Sequence, residues 1–304
     1  QFSSIMSEKA KEEVKYWPSR LHNGELPHGY YIELTDTTIT EEKFEYKTIF
    51  DNHQDFPEGD NVLLLSTTRT YSYKPSLIKF IPQSILEKYE NLKYLELIYV
   101  GLEQLQAGMF ECVPNLRDVQ FSHNKIKRLP AGVFRSCSSV DSLRIDHNEI
   151  SEIADDAFEG LVRLTWLVLS NNKISKLKRL HFKHVKNIDF LCIDHNCLEE
   201  LDEDTFYEIS EVQHIRINNN HIKTLPNNLL KNLDKLYELC LDYNKIKSIK
   251  PEVFNHAINL LSLSLEGNQL QEIHRDLFKS QKKISSLMLN NNQISKLHPD
   301  IFTE

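Results

Sequence analysis

Apolar residues recur along this chain in a pattern that repeats every 24 residues. Each repeat has an apolar residue, two variable residues, two apolar residues separated by one variable residue, two more variable residues and an asparagine. Apolar positions two residues apart indicate a short strand with one buried face. The asparagines keep the 24-residue spacing throughout: Asn124, Asn148, Asn172, Asn196, Asn220, Asn244, Asn268 and Asn292.

A repeat of this length predicts one coil, made of a short strand and a return segment. One coil alone cannot bury its apolar face, whereas stacked coils share a continuous core and pair their strands at a spacing of about 4.8 Å. A polar side chain that points inward in every coil needs hydrogen-bond partners. Asparagine carries both a donor and an acceptor, so we predict a structural ladder that bonds the turn after each strand and the neighbouring coil.

The return segments share a leucine, often followed by proline, and an aromatic position further on. Leu129-Pro130 is followed by Phe134, and the same position in the other repeats is Phe everywhere except Leu230: Phe110, Phe134, Phe158, Phe182, Phe206, Leu230, Phe254, Phe278 and Phe302. We interpret these rings as a core spine. With these residues the frame resembles the "typical" 24-residue class of extracellular leucine-rich repeats, found in Toll-type receptors, small proteoglycans and secreted insect leucine-rich immune proteins.

The resemblance covers residues 68–304 and implies an α/β repeat fold. We expect a right-handed leucine-rich repeat solenoid (a horseshoe) with a parallel concave sheet and a convex face of loops and short helical turns. Residues 61–304 would form about ten coils, with residues 68–91 a degenerate coil and the last coil truncated. Residues 1–60 lack the repeat, and we predict an acidic capping segment with a helix at Ser7–Trp17 and a hairpin of Tyr30–Thr35 and Phe44–Phe50.

On the concave face, the residues between the buried positions of each strand point to solvent. When the repeats are aligned, these solvent-facing positions include two aromatic residues on adjacent coils, with arginines on either side. Such residue types are enriched at protein interfaces. We predict a ligand-binding patch of Arg144, Trp166, Val168, Phe190, Cys192, His214 and Arg216. The alternative is that the aromatic pair packs on itself and shields the leucines beside it.

Charge argues against a nucleic-acid partner. Residues 1–60 hold 13 acidic and 6 basic side chains, and residues 61–304 hold 31 and 30, so the repeat region is nearly neutral. A nucleic-acid binder needs a basic surface. The chain contains no apolar run of the roughly 18 residues that span a membrane. It starts at Gln1, which fits a mature secreted form after removal of a signal peptide, and we expect an extracellular location.

Five cysteines and several Asp-His pairs are the remaining candidates for special chemistry. Cys112 and Cys137 lie at similar positions on adjacent coils, so we consider a disulfide between them alongside a buried thiol that acts as a small apolar group. Asp146-His147 and Asp194-His195 are two coils, about 10 Å, apart, so we assign no metal site. The chain has no catalytic motif, and we expect no catalytic residues and no cofactor.

We therefore expect a non-enzymatic scaffold that recognises a protein ligand on its concave face, with a role in extracellular innate immunity. The alternative is a structural or adhesion protein that self-associates through its ends. Solenoids need a polar terminal cover, and the last coil ends on apolar positions. We expect a second copy or a downstream segment to cover residues 284–304.

Overall fold

Parallel strands dominate the structure. The computed structural model describes residues 30–32, 38–39, 61–66, 77–81, 86–87, 91–299 and 301. Within them, one sheet contains eleven strands in chain order. They are Tyr30–Ile32, Asn61–Ser66, Leu92–Ile98, Asp118–Gln120, Ser142–Arg144, Trp166–Val168, Phe190–Cys192, His214–Arg216, Glu238–Cys240, Ser262–Ser264 and Ser286–Met288.

From Leu92–Ile98 onward, each strand pairs with the strand one repeat later. Trp166 lies beside Phe190, and Phe190 lies beside His214, each 24 residues further along. The central residues, such as Leu167 and Leu191, are completely buried in the main core. The 24-residue period has therefore become the register of the sheet, and the predicted leucine-rich repeat solenoid is confirmed.

We call each strand of the sheet, with the turn that follows it, a rung. The ladder asparagines bond each rung to the rung before it. Asn148 is 8 % exposed, and its Nδ2 donates to the Phe121 carbonyl of the preceding rung at 2.8 Å. Its Oδ1 accepts from the Ile126 backbone N–H at 3.1 Å. The other seven asparagines make the equivalent two bonds. Each side chain thus satisfies backbone groups that the strands leave unpaired.

A left-handed residue precedes every ladder asparagine and turns the chain out of the strand. His123 has φ +58°, Asn171 has φ +53° and Gly267 has φ +64°. Asn, His and Gly adopt this region more readily than most residues. The same position in successive rungs therefore forms a column along one edge of the sheet, made of Tyr99, His123, His147, Asn171, His195, Asn219, Tyr243, Gly267 and Asn291.

The return segments pack an aromatic spine against the core. The rings of Phe110 and Phe134 stack with centroids 5.7 Å apart, and both are completely buried. In the described return segments from residue 99 onward, regular structure consists of a helical turn at Arg179–Phe182, a 3-10 turn at Pro251–Phe254, and a two-stranded sheet of Arg128–Leu129 and Glu152–Ile153. Phe302, the last predicted member of the spine, lies outside the described residues.

The described sheet begins earlier in the chain than expected. Strand Tyr30–Ile32 pairs in parallel with Leu63–Leu65 and is the first described rung of the sheet. Asn61–Ser66 pairs directly with Leu92–Ile98. Residues 68–91 therefore add no strand between them, and the predicted degenerate coil was wrong. Thr38–Ile39 also pairs in parallel, with Leu77–Ile78.

Other predictions for this region stay open. The predicted helix Ser7–Trp17 and the predicted strand Phe44–Phe50 lie outside the described residues. The boundary between residues 60 and 61 stays a prediction. Among the described residues, no helix is both long and apolar enough to cross a membrane.

The cysteines are all free thiols. Cys137 is completely buried in the main core and Cys112 packs partly buried against it. The candidate Cys112–Cys137 disulfide is not formed in the structure, and Cys137 occupies its apolar column as a small core residue. Burial raises the pKa of its thiol to about 12, so it stays protonated at neutral pH.

Candidate functional site

A second, small apolar cluster lies on the solvent face of the sheet, separate from the main core. It consists of Trp166, Val168, Phe190 and Cys192, and we call it the aromatic patch. Two adjacent strands present these side chains because Trp166 aligns with Phe190 and Val168 with Cys192. The rings of Trp166 and Phe190 stack with centroids 3.8 Å apart and planes 9° apart.

The aromatic patch is more enclosed than the sequence suggested. Phe190 is 6 % exposed and Cys192 is 9 % exposed, whereas Trp166 is only partly buried. Much of the apolar surface is therefore used in packing within the patch, as in the alternative interpretation of the pair. Trp166 is the member with an accessible surface.

Charged residues close one side of the aromatic patch. The Arg216 guanidinium lies 5.3 Å from the centroid of the Phe190 ring, and its Nη2 is 3.1 Å from Glu238 Oε1. His214 Nδ1 lies 3.1 Å from Glu238 Oε2. Burial by itself would raise the pKa of Glu238, but the His214 hydrogen bond and the Arg216 charge lower it to about 2. Glu238 therefore holds both the Arg216 and the His214 side chains in place beside the patch.

Arg144 lies on the other side of the aromatic patch. It aligns with Val168 across two adjacent strands, and its Nε lies 3.7 Å from Asp146 Oδ1. Burial raises the pKa of Asp146, but hydrogen bonds from Ser122 and His147 together with the Arg144 charge bring it below its usual value. All seven residues predicted for the binding surface thus lie on neighbouring strands of the same sheet.

The thiols on this face are poorly suited to nucleophilic chemistry. Burial, reinforced by the Asp194 carboxylate, raises the pKa of Cys192 to about 12. Burial also raises the pKa of Cys240 well above its usual range. A nucleophilic cysteine needs a lowered pKa, so the arrangement near His214 does not form an activated cysteine–histidine pair.

A cluster that sequence reasoning missed lies just beyond the C-terminal ends of the strands. His123 and His147 occupy the left-handed position of adjacent rungs, with ring centroids 4.1 Å apart, and Asp146 lies beside them. We expected no metal site because we compared Asp-His pairs two coils apart. The 24-residue separation of His123 and His147 was the available signal, since residues in phase on adjacent coils are neighbours.

The fold and the repeated frame define a class of solenoid proteins that act as binding scaffolds. The model of the family described as leucine rich repeat matches residues 90–150, 114–174, 138–198, 163–222, 190–246, 210–270, 234–294 and 258–304. These matches overlap and together cover residues 90–304. The chain belongs to the leucine-rich repeat family.

Two solved structures illustrate the similarity. A TLR13–ssRNA13 complex is similar at 25 % identity and a TM-score of 0.71, over 78 % of this chain and 32 % of that one. A leucine-rich repeat protein of Leptospira interrogans is similar at 25 % identity and a TM-score of 0.65, over 79 % of this chain and 61 % of that one. The chain thus spans less than two thirds of either. No curated protein matches it.

Proposed function

We propose that this chain is a non-enzymatic recognition scaffold that binds a protein ligand on the solvent face of its sheet, centred on Trp166. The aromatic patch carries the proposal. Tryptophan and arginine are among the residues that most often dominate binding energy at protein interfaces, and here Trp166 and Arg216 both lie against the Phe190 ring. The charged network around Glu238 holds that arginine in place before any ligand arrives, which reduces the entropy lost on binding.

The enclosed state of Phe190 refines this proposal. Because Phe190 is buried under Trp166 and Arg216 in the free chain, it supports the contact surface and does not itself touch the ligand. We expect Trp166, Arg216 and Arg144 to make the direct contacts.

Single-stranded RNA is the second candidate ligand, since the TLR13 structure is a complex with ssRNA13. RNA binding depends on lysine and arginine side chains that neutralise phosphates. Residues 61–304 hold 31 acidic and 30 basic side chains, and Glu238, Asp146 and Asp194 face the same side as the aromatic patch. This balance favours a protein ligand.

The proposal includes an extracellular location for the protein. The resemblance to extracellular leucine-rich repeats supports a secreted chain with a role in innate immunity, such as that of insect leucine-rich immune proteins. The free thiols and the lack of Asn-x-Ser/Thr glycosylation sites in the sequence do not add support. Detection of the protein in extracellular fluid with a specific antibody tests the location directly.

Capture of partners with matched baits tests the binding surface. The wild-type chain, the double variant Trp166→Ala/Arg216→Ala and the control Val162→Ala/Leu180→Ala are each used on extracellular fluid of the source organism. Val162 and Leu180 are exposed apolar residues of the return segments. Partners captured by the wild type and the control, and lost from the patch variant, are expected.

Each other outcome has a defined meaning. Partners that all three baits retain equally would place the binding surface elsewhere. Recovery of the protein alone would favour self-association, the structural or adhesion alternative. For an identified partner, we expect Trp166→Ala alone to weaken binding by about 2 kcal/mol, measured by calorimetry.

A further inference from the structure

Two histidine rings stack just beyond the C-terminal ends of two neighbouring strands, outside the aromatic patch. His123 and His147 have φ +58° and +53°, and this shared left-handed backbone presents both side chains in the same way. Their centroids are 4.1 Å apart with planes 24° apart, and Tyr99 stacks on His123 at 4.3 Å. The solenoid repeat therefore brings two imidazoles from separate rungs together.

A carboxylate completes the cluster. Asp146 is 6 % exposed, and Ser122 Oγ donates to its Oδ1 at 2.7 Å. His147 Nδ1 lies 2.8 Å from Asp146 Oδ2. One ligand atom from each of His123, Asp146 and His147 lies within 4.8 Å of the other two. Among the residues that the structure describes, this is the one such group of three.

We propose that His123, Asp146 and His147 bind a divalent transition-metal cation of the zinc type. Imidazole nitrogen and carboxylate oxygen together suit zinc and its first-row neighbours. The set supplies three protein ligands, one fewer than the four of a closed zinc site, so a bound ion keeps one position for water or for a group from another molecule. Ser122 holds the carboxylate in the manner of an outer-shell partner.

Binding requires a small rearrangement. The three ligand atoms already lie within 4.8 Å of one another. The planes of the two stacked rings are only 24° apart, so their in-plane nitrogen lone pairs run nearly parallel, and the rings must rotate for both to point at one ion. His147 is 44 % exposed at its side chain, so its ring has room to turn.

The nearest positive charge opposes the ion. Arg144 Nε lies 3.7 Å from Asp146 Oδ1, and its guanidinium competes with a cation for the carboxylate. Removal of this charge in Arg144→Gln is therefore expected to strengthen metal binding, which a purely structural His–Asp contact would not predict.

The chain contains its own control. Asp194-His195 repeats the same motif, with His195 Nδ1 2.6 Å from Asp194 Oδ2 and with Ser170 donating to Asp194. At that position in the adjacent rungs stand Asn171 and Asn219. That pair therefore has one imidazole where the proposed site has two, and it should bind zinc much more weakly.

The experiment is a calorimetric titration of zinc chloride into the purified chain and four variants. His123→Asn and His147→Asn each place Asn where other rungs carry it in the same backbone conformation, so the fold should persist. Circular dichroism and the urea midpoint verify this. We expect a zinc site that these two variants weaken at least about tenfold, that His195→Asn leaves unchanged, and that Arg144→Gln strengthens.

A second measurement locates the ion. Histidine ring signals in NMR spectra, assigned with the same variants, should shift for His123 and His147 and not for His195 when zinc is added. No zinc binding by the wild-type chain would overturn the proposal. So would an affinity that is the same in His123→Asn, because the zinc would then be held by other histidines or by the free cysteines.

Discussion

At the scale of single residues, each ladder asparagine stabilises two rungs at once. Asn196 is 5 % exposed, and its Nδ2 donates to the Leu169 carbonyl of the preceding rung at 3.0 Å. Its Oδ1 accepts from the Ile174 backbone N–H, also at 3.0 Å. An apolar residue of similar size would fill the space but leave these backbone groups buried without partners, which explains why the position is asparagine in eight successive rungs, from Asn124 to Asn292.

We expect Asn196→Ala to lower the free energy of unfolding by about 3 kcal/mol, because it leaves at least two buried backbone groups without hydrogen bonds. Asn292→Ala is the matched control. Asn292 makes the same bonds but is less buried, so water can replace part of what is lost and the cost should be smaller. Urea denaturation measures both. Equal costs would show that burial does not set the strength of the ladder.

Glu238 predicts a specific dependence of stability on pH. Its pKa is lowered from a usual 4.5 to about 2, so its contribution is present above pH 4.5 and is lost as the pH falls through 2. The difference corresponds to about 3 kcal/mol. Glu238→Gln should therefore be less stable than the wild type at pH 6, and the gap should close as the pH approaches 2.

The measurement is urea denaturation of both proteins at several pH values. A gap between them that stays constant down to pH 2 would mean that the charge of Glu238 does not stabilise the chain, and that its packing does.

At the scale of elements, the return segments depend on close approach between neighbouring coils. Gly160 has φ +97°, and a Cβ built on it would lie 2.2 Å from the Phe134 carbonyl oxygen of the preceding coil. Gly132 has φ +69°, but its Cβ would first meet the flexible end of Arg135 at 3.3 Å. The two glycines thus differ in whether backbone or a movable side chain fills the space.

We expect Gly160→Ala to cost at least about 3 kcal/mol of stability, since the strained backbone and the clash both contribute. Gly132→Ala should cost about 1–2 kcal/mol, from the left-handed backbone alone. Thermal unfolding of both variants distinguishes them. Equal losses would imply that neighbouring coils separate easily at Gly160.

The strands of the repeat could be predicted from the sequence because the 24-residue period determines which residues lie side by side on neighbouring strands. Once coils stack in parallel, residues 24 apart must be neighbours, so Trp166 beside Phe190 followed directly. The first rungs could not be predicted this way. Tyr30 aligns with Leu63, and Leu63 with Leu95, and these longer coils lack the asparagine that marks the phase elsewhere.

The candidate site was only partly predictable. The period placed the seven predicted residues on neighbouring strands, but it does not determine how side chains lean across the sheet. Phe190 is therefore far more buried than its column suggested. The His123–His147 contact was within reach of the same reasoning, whereas the position of Asp146 between Ser122 and His147 depends on rotamers that a repeat pattern does not contain.

At the scale of the whole molecule, each rung contacts only the rungs before and after it, so stability should vary along the solenoid. Leu263 and Leu265 are completely buried, whereas Leu287 and Leu289 occupy the same columns one rung later and are only partly buried. In the described part of the chain, strand Ser286–Met288 pairs on one side only, with Ser262–Ser264. Such an edge favours pairing with another polypeptide.

The last prediction concerns this edge, where we expected a second copy or a downstream segment of the chain. In a dilute monomer, the amides of Ser286–Met288 should exchange with solvent faster than those of the central strand Phe190–Cys192, because local opening there breaks contacts with one neighbour and not two. If copies associate through this edge, protection of Ser286–Met288 should rise with protein concentration while that of Phe190–Cys192 stays constant. Hydrogen exchange combined with light scattering measures both. A confirmed monomer in which the two strands are equally protected would show that the last rung is stable without a cover.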